Sequence, residues 1–322
     1  MRTSLAFFAS GLLAVTAACG SNGSGPTGDD DVSPDAGDVV PPPPERGFRI
    51  ESPMIDLQPG EEITYCYYFH TPNTEKLAID HWKSVMTTGS HHMIMFLTSN
   101  DQQPEGTVTD QNCDIGASGQ GVATWTYATQ TEENELLLPA DDGTGKPLAQ
   151  EIPAGSSGFF QMHYINATDQ ALTAHVIVDA FALDAGAAYT STSPFITYNG
   201  EINIPPGATN HVESQTCSVP AGGKFWLMTT HSHKQSIRTR VLDGTNVVLD
   251  SDDWEHPDVV EMDNPFYEFA SGKLTYECTY NNASNRTIMD GESAVTDEMC
   301  MATGYFFPST SAKFCYDSFG PF

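Results

Sequence analysis

Two pairs of histidines carry the strongest chemical signal in this 322-residue chain: His91 and His92 within "GSHHMIMF", and His231 and His233 within "THSHK". Strand side chains alternate faces, so His231 and His233, at i and i+2, leave the same face and can grip one transition-metal ion together. His91 and His92 are neighbours. On an ideal strand they point to opposite faces, and both reach one ion only where the strand ends or bulges. The two pairs are therefore not copies of one strand motif. His163, in "FFQMHYIN", offers another imidazole on a strand. His70, His81, His175, His211 and His256 read as ordinary structural histidines.

The elements that must position these side chains are strands. "EEITYCYYF", "ATWTYAT", "SGFFQMHYIN", "LTAHVIVDAFAL", "KFWLMTTHSHK" and "KLTYECTY" are short, aromatic or β-branched, and separated by Gly, Pro, Asn and Asp. "VLDGTNVVLD" reads as a hairpin with Asp-Gly at its turn. No amphipathic helix of ten residues or more and no short-period repeat stands out. The expected fold is all-β, two tandem antiparallel β-sandwich, jelly-roll-like domains. The small, polar stretch 184–194, "DAGAAYTSTSP", marks the boundary, giving domains at 48–193 and 194–322. His91, His92 and His163 fall in the first, His231, His233 and Met299 in the second.

Residues 1–19, "MRTSLAFFASGLLAVTAAC", combine an early arginine, an apolar run and small residues before a cysteine, as a lipoprotein signal peptide does, so Cys19 is expected to be lipidated. Residues 20–47, rich in Gly, Ser, Pro and Asp, read as a disordered tether. That places the protein in the cell envelope, periplasmic or surface-exposed, touching membrane only through the lipid. Thirteen basic against 42 acidic residues give a formal charge of −29, which excludes nucleic acid as a partner. Apart from Cys19 there are six cysteines, an even number that in an exported chain reads as three disulfides. Cys66 and Cys113 stand early and Cys217, Cys278, Cys300 and Cys315 late; fifteen pairings are open on order alone.

"HHMIMF", "QMHY", "HSH" and "DEMC", in that order, resemble the copper type II, ascorbate-dependent monooxygenases, the family of peptidylglycine α-hydroxylating monooxygenase and dopamine β-monooxygenase. The likeness covers about residues 50–320. It implies that His91, His92 and His163 bind one copper, which passes electrons. His231, His233 and Met299 would bind a second across a cleft, the oxygen-activating and hence catalytic centre. It also implies disulfides Cys66–Cys113, Cys217–Cys315 and Cys278–Cys300. The function expected is hydroxylation of a C–H bond of a small organic substrate with O₂ and an external electron donor such as ascorbate. Two imidazoles with a soft thioether favour Cu(I) and leave a coordination position open, as dioxygen chemistry needs.

Several positions depart from the family. Thr98 stands where a disulfide cysteine is usual, and Lys224, Trp226, Ser232 and Ser236 replace family residues around "HSH". Thr229, Met301 and Thr303 stand where peptide hydroxylases have substrate-holding arginine, asparagine and tyrosine. A peptide carboxylate would lose its charged partner, so peptide amidation is not expected. The competing class is a non-catalytic copper-buffering lipoprotein. A zinc hydrolase is disfavoured by the thioether and the absence of "HExxH", a cupin by the absence of glutamate after "HSH". Blue copper is disfavoured because the cysteines all pair. The sequons at Asn166, Asn282 and Asn285 read as incidental.

Overall fold

Alternation of inward and outward side chains builds most of the chain. In the strand Lys273–Tyr280, Leu274, Tyr276, Cys278 and Tyr280 are buried while Lys273, Thr275, Glu277 and Thr279 are not. The strand Leu77–Met86 likewise turns Leu77, Ile79, Trp82, Ser84 and Met86 inward. A computed structural model describes residues 42–111, 113 and 123–316. The expected signal peptide, Cys19 and most of the expected tether lie outside them. Among the described residues there is no α-helix, and those from Pro43 onward form one compact unit.

The ladders fall into two groups that meet at Thr192. In the first, a sheet ordered Gly47–Glu51, Val176–Ala182, Leu77–Met86, Leu148–Ile152 lies with one ordered Val108–Thr109, Glu62–His70, Ser157–Ile165, Ser90–Thr98, Ala123–Thr129. In the second, a sheet ordered Val260–Glu261, Lys224–Ser232, Cys300–Phe307, Ser193–Tyr198, Lys313–Tyr316 lies with one ordered His211–Ser218, Lys273–Tyr280, Ser236–Asp243, Asn246–Ser251. Nearly all pairs are antiparallel, and Ser236–Asp243 with Asn246–Ser251 is the expected hairpin.

"HHMIMF" and "FFQMHY" are buried on both faces, which explains their unbroken apolar run. One face, with Met93, Met95, Phe160 and Met162, fills the interior of the first group. The other, with Ile94, Phe96 and Phe159, packs on Ile196, Tyr198, Met299 and Met301 of the second. The seam between the groups is thus a core, and both histidine sets border it.

The two groups also repeat each other over a period too long and too diverged to show as a short repeat. Tyr164 faces Ile63 on one side and Ser90 on the other, as Tyr280 faces His211 and Ser236. One step along, each ladder slips. His163 meets His92 with His91 skipped, and Thr279 meets Arg238 with Ile237 skipped. Two residues after each tyrosine stands a buried asparagine. Asn166 Nδ2 donates to the carbonyls of Leu57, Gln58 and Gln170, and Asn282 Nδ2 to those of Ile204, Pro205 and Arg286. The hydroxyls of Thr168 and Ser284 donate to their Oδ1 atoms at 2.7 and 2.6 Å. "NAT" and "NAS" are therefore internal turn locks, with both amides spent on the fold rather than free for a glycan.

The disulfides are Cys66–Cys113, Cys217–Cys315 and Cys278–Cys300, the pairing that the family resemblance implies. The last ties the residue after Met299 to the strand Lys273–Tyr280.

Candidate metal centre

The slip opposite Tyr164 is the bulge that adjacent histidines need. His92 pairs directly with His163 across the ladder, and His91 is the extra residue, turned to the same side. The three ring centroids are 5.1 to 5.2 Å apart. One ring nitrogen from each lies within 4.8 Å of the other two, and all three residues are buried. His91 Nδ1 and His92 Nδ1 stand 3.1 Å apart, a spacing open to two nitrogens each about 2.0–2.1 Å from one ion.

His231 lies on the strand Lys224–Ser232 and His233 just beyond its end. Their rings are 5.3 Å apart. Across the ladder His231 pairs with Met301 and Ser232 with Cys300, so alternation puts Met299 and Met301 on the face that His231 and His233 share. Met299 is wholly buried. Its carbonyl accepts the Tyr280 hydroxyl at 2.7 Å, and the neighbouring disulfide fixes its backbone.

The two sets are not equivalent within the repeat. The partners of the repeated tyrosines make His91 correspond to Ile237 and His92 to Arg238, so each half carries its histidines where the other does not. Nor does a cleft part them. His231 is 5.6 Å from His91 and 5.2 Å from His92, and His233 is 6.0 Å from His91, ring to ring. Five imidazoles form one contiguous group, where the family resemblance led us to expect two separated centres. Trp254, 5.8 Å from His91, covers one side.

Fixed neighbours aim individual rings. Gln130 Nε2 donates to the carbonyl of Thr230, so its Oε1 faces His231 Nδ1 and accepts that proton, leaving Nε2 as the lone-pair nitrogen. Glu62 accepts from His163 Nε2 at 3.2 Å, from Ser293 Oγ at 2.9 Å and from the Ala294 amide at 2.8 Å. The hydrogen bond from His163 helps hold its carboxyl down at about 2. Glu298, fully buried, accepts the amides of His233 and Gln235 at 3.0 and 2.7 Å, and burial pushes its carboxyl up to about 8. None of these three was legible as a site residue. The available signal was a polar residue inside or beside a buried apolar strand, in "EEITYC" and "DEMC".

Burial, then the neighbouring rings, lowers His91 and His233 to about 3 and His92 and His231 well below the ordinary histidine range. These rings are neutral at pH 7, with lone pairs available. His91 Nε2, His92 Nε2, His231 Nε2 and both nitrogens of His233 are buried with no hydrogen-bond partner. Such orphans are costly in a protein interior; a soft transition metal such as copper would satisfy those of His231 and His233, with a thioether beside them, whereas at His91 and His92 it is the facing Nδ1 atoms that are spaced to share an ion. The donor set fits copper.

Of the other histidines, His70, His81, His175 and His211 lie beside carboxylates of Asp101, Glu135, Glu51 and Glu213. His256 instead lines a cavity beside His231.

Removing the Gln130 carbonyl should free His231 to rotate and change tautomer. Gln130→Ala is expected to weaken copper binding about 10- to 100-fold, read by competitive copper titration against a chromophoric chelator. Binding within twofold of the parent would show that Gln130 does not orient the ligand.

Residues 193–321 match the copper type II ascorbate-dependent monooxygenase C-terminal domain. No curated protein matches significantly. Among solved structures, the chain is similar to PNGase F, a glycosylasparaginase from Flavobacterium meningosepticum, at 8% identity and TM-score 0.35, over 81% of this chain and 97% of that one. It is also similar to the major capsid protein of bacteriophage PM2, at 8% identity and TM-score 0.29, over 80% and 97%. Likenesses this distant carry no functional argument.

Proposed function

We propose, from the match of residues 193–321 to the copper type II ascorbate-dependent monooxygenase C-terminal domain, that the chain is a copper monooxygenase of that family and hydroxylates a C–H bond of a small organic substrate. The balance is R–H, O₂, two electrons and two protons giving R–OH and water, with ascorbate or a similar donor supplying the electrons. The observation that carries the reading is five buried imidazoles converging in one group, four of them, His91, His92, His231 and His233, neutral and each with a buried nitrogen that has no partner.

His91, His92 and His163 would hold an electron-transfer copper, and His231, His233 and Met299 the oxygen-activating one. Copper, when bound, supplies the one-electron steps and the reduction of dioxygen, which no side chain here can perform. The chain's own residues prepare the site. Glu62 accepts the hydrogen bond of His163 Nε2–H and so turns Nδ1 to the metal side. Gln130 does the same for His231 with the opposite nitrogen. Met299 adds a soft, uncharged donor that needs no deprotonation. The apolar seam of Ile94, Phe96, Trp125 and Met301 keeps bulk water from the reacting atoms. We place this activity in the cell envelope, tethered through a lipid on Cys19.

Loading the full chain with copper and supplying ascorbate, ¹⁸O₂ and a panel of neutral aromatic and aliphatic compounds is expected to give two coppers per chain and one labelled oxygen atom per product. Copper binding without labelled product from any compound, or oxygen uptake independent of substrate, would instead identify a copper buffer.

A further inference from the structure

Beside the histidines lies a cavity of about 300 Å³, with His92 and His231 at one end. Its walls include Ile94, Trp125, Leu136, Ile196, Leu227 and Met301. That volume is at the lower end for small-molecule sites. Its charge content is distinctive: among the described residues no lysine or arginine lines it, and its only carboxylates are Glu135 and Glu261. Glu135 is 54% exposed on its side chain and sits 3.0 Å from His81, and Glu261 is exposed. Both belong to the rim, where water screens them.

We propose that the substrate is an uncharged, largely apolar molecule, with the C–H bond to be oxidised directed at the His92–His231 end. This rests on the monooxygenase reading above. In the metal-free chain an anion in the cavity would find no lysine or arginine, and an ammonium would find only rim carboxylates, so either ion would be desolvated without compensation. A neutral polar head has partners. Thr229 and Thr303 face each other across the ladder, both on the cavity wall, with Gln130 and Asn134 alongside. The Thr229 hydroxyl donates to the Asp258 carbonyl at 3.0 Å and retains its lone pairs to accept from an alcohol or amide.

The test uses the full chain, metal-free and copper-loaded, and three ligands of similar size: phenylacetamide, phenylacetate and phenethylamine, the last protonated at pH 7. Calorimetry is expected to show the amide bound at least about tenfold more tightly than either ion in the metal-free chain, where no copper can hold the carboxylate. Thr229→Arg places a cation on the wall and is expected to reverse the order of amide and carboxylate by at least about tenfold. Phenylacetate or phenethylamine binding the metal-free parent as tightly as the amide overturns the proposal, as does failure of all three to bind at millimolar concentration. The parent's binding order stands without the variant, should arginine prevent folding. Because metal-free binding needs no turnover, a neutral preference in a chain that never hydroxylates would defeat the enzymatic reading alone. Oxygen incorporation confined to charged substrates would defeat this inference alone.

Discussion

Met299→Ile is expected to lower turnover about a thousandfold, about 4 kcal/mol in the activation barrier, while the His91, His92 and His163 site still takes up copper. The argument is one of volume against chemistry. Met299 is fully buried among Ile94, Phe96, Ile196 and Met301, and isoleucine is close to it in size and polarity, so the fold should lose no more than about 1.5 kcal/mol. Its backbone is held independently by the Cys278–Cys300 bridge and by the Tyr280 hydroxyl on its carbonyl. What disappears is the sulfur. Two neutral imidazoles remain and the soft donor that favours Cu(I) is gone. Met301 is the internal control: it is buried on the same face and pairs with His231 across the ladder. Met301→Ile should alter substrate KM, because Met301 lines the cavity, but retain copper stoichiometry and most of kcat. Measuring bound copper and substrate-dependent oxygen consumption for both variants decides the matter. Full turnover in Met299→Ile together with its loss in Met301→Ile would assign the thioether to Met301.

The strands and the same-face geometry of "HSH" were legible because both depend on alternation within one strand. The bulge at His91 was legible only as a requirement, since a ladder slip is decided by the partner strand: Tyr164 meets Ser90 and His163 meets His92. The meeting of the two histidine sets could not be read at all. It depends on Ile94 and Phe96 packing on Ile196 and Met301 across the seam, a contact that leaves no periodicity. Gln130 and His231 are 101 residues apart, and a glutamine after a strand carries no mark of its partner. The half-chain repeat left one trace, a tyrosine followed two residues later by Asn-Ala-Thr or Asn-Ala-Ser. That trace reads first as a sequon, because a buried asparagine turn and a glycan acceptor use the same three residues.

The same buried groups that prepare the centre set the pH dependence of the metal-free protein, which is expected to be most stable between about pH 6.5 and 7. His91 and His233 titrate near 3 in the fold against about 6.5 when unfolded. Below 6.5 the unfolded chain therefore binds more protons, and stability falls as pH falls toward 3. At pH 5 each costs about 2 kcal/mol, so about 4 kcal/mol for the two, with His92 and His231 acting in the same direction. Glu298 has the opposite sign. Its carboxyl titrates near 8 in the fold against 4.5 unfolded, so its contribution is complete below 4.5 and is lost as pH rises through 8. Between pH 6.5 and 8.5 that loss is about 2 kcal/mol. Below 6.5 the several histidines outweigh the single carboxyl; above 7 only the carboxyl still acts, and the maximum lies where the two proton counts balance. Urea unfolding of chelator-treated protein from pH 5 to 9 should trace this curve, and Glu298→Gln should flatten its alkaline limb while leaving the acid limb. Stability that rises steadily from pH 7 to 9 would mean that the Glu298 carboxyl is already ionised in the fold and that the amides of His233 and Gln235 compensate its burial in full.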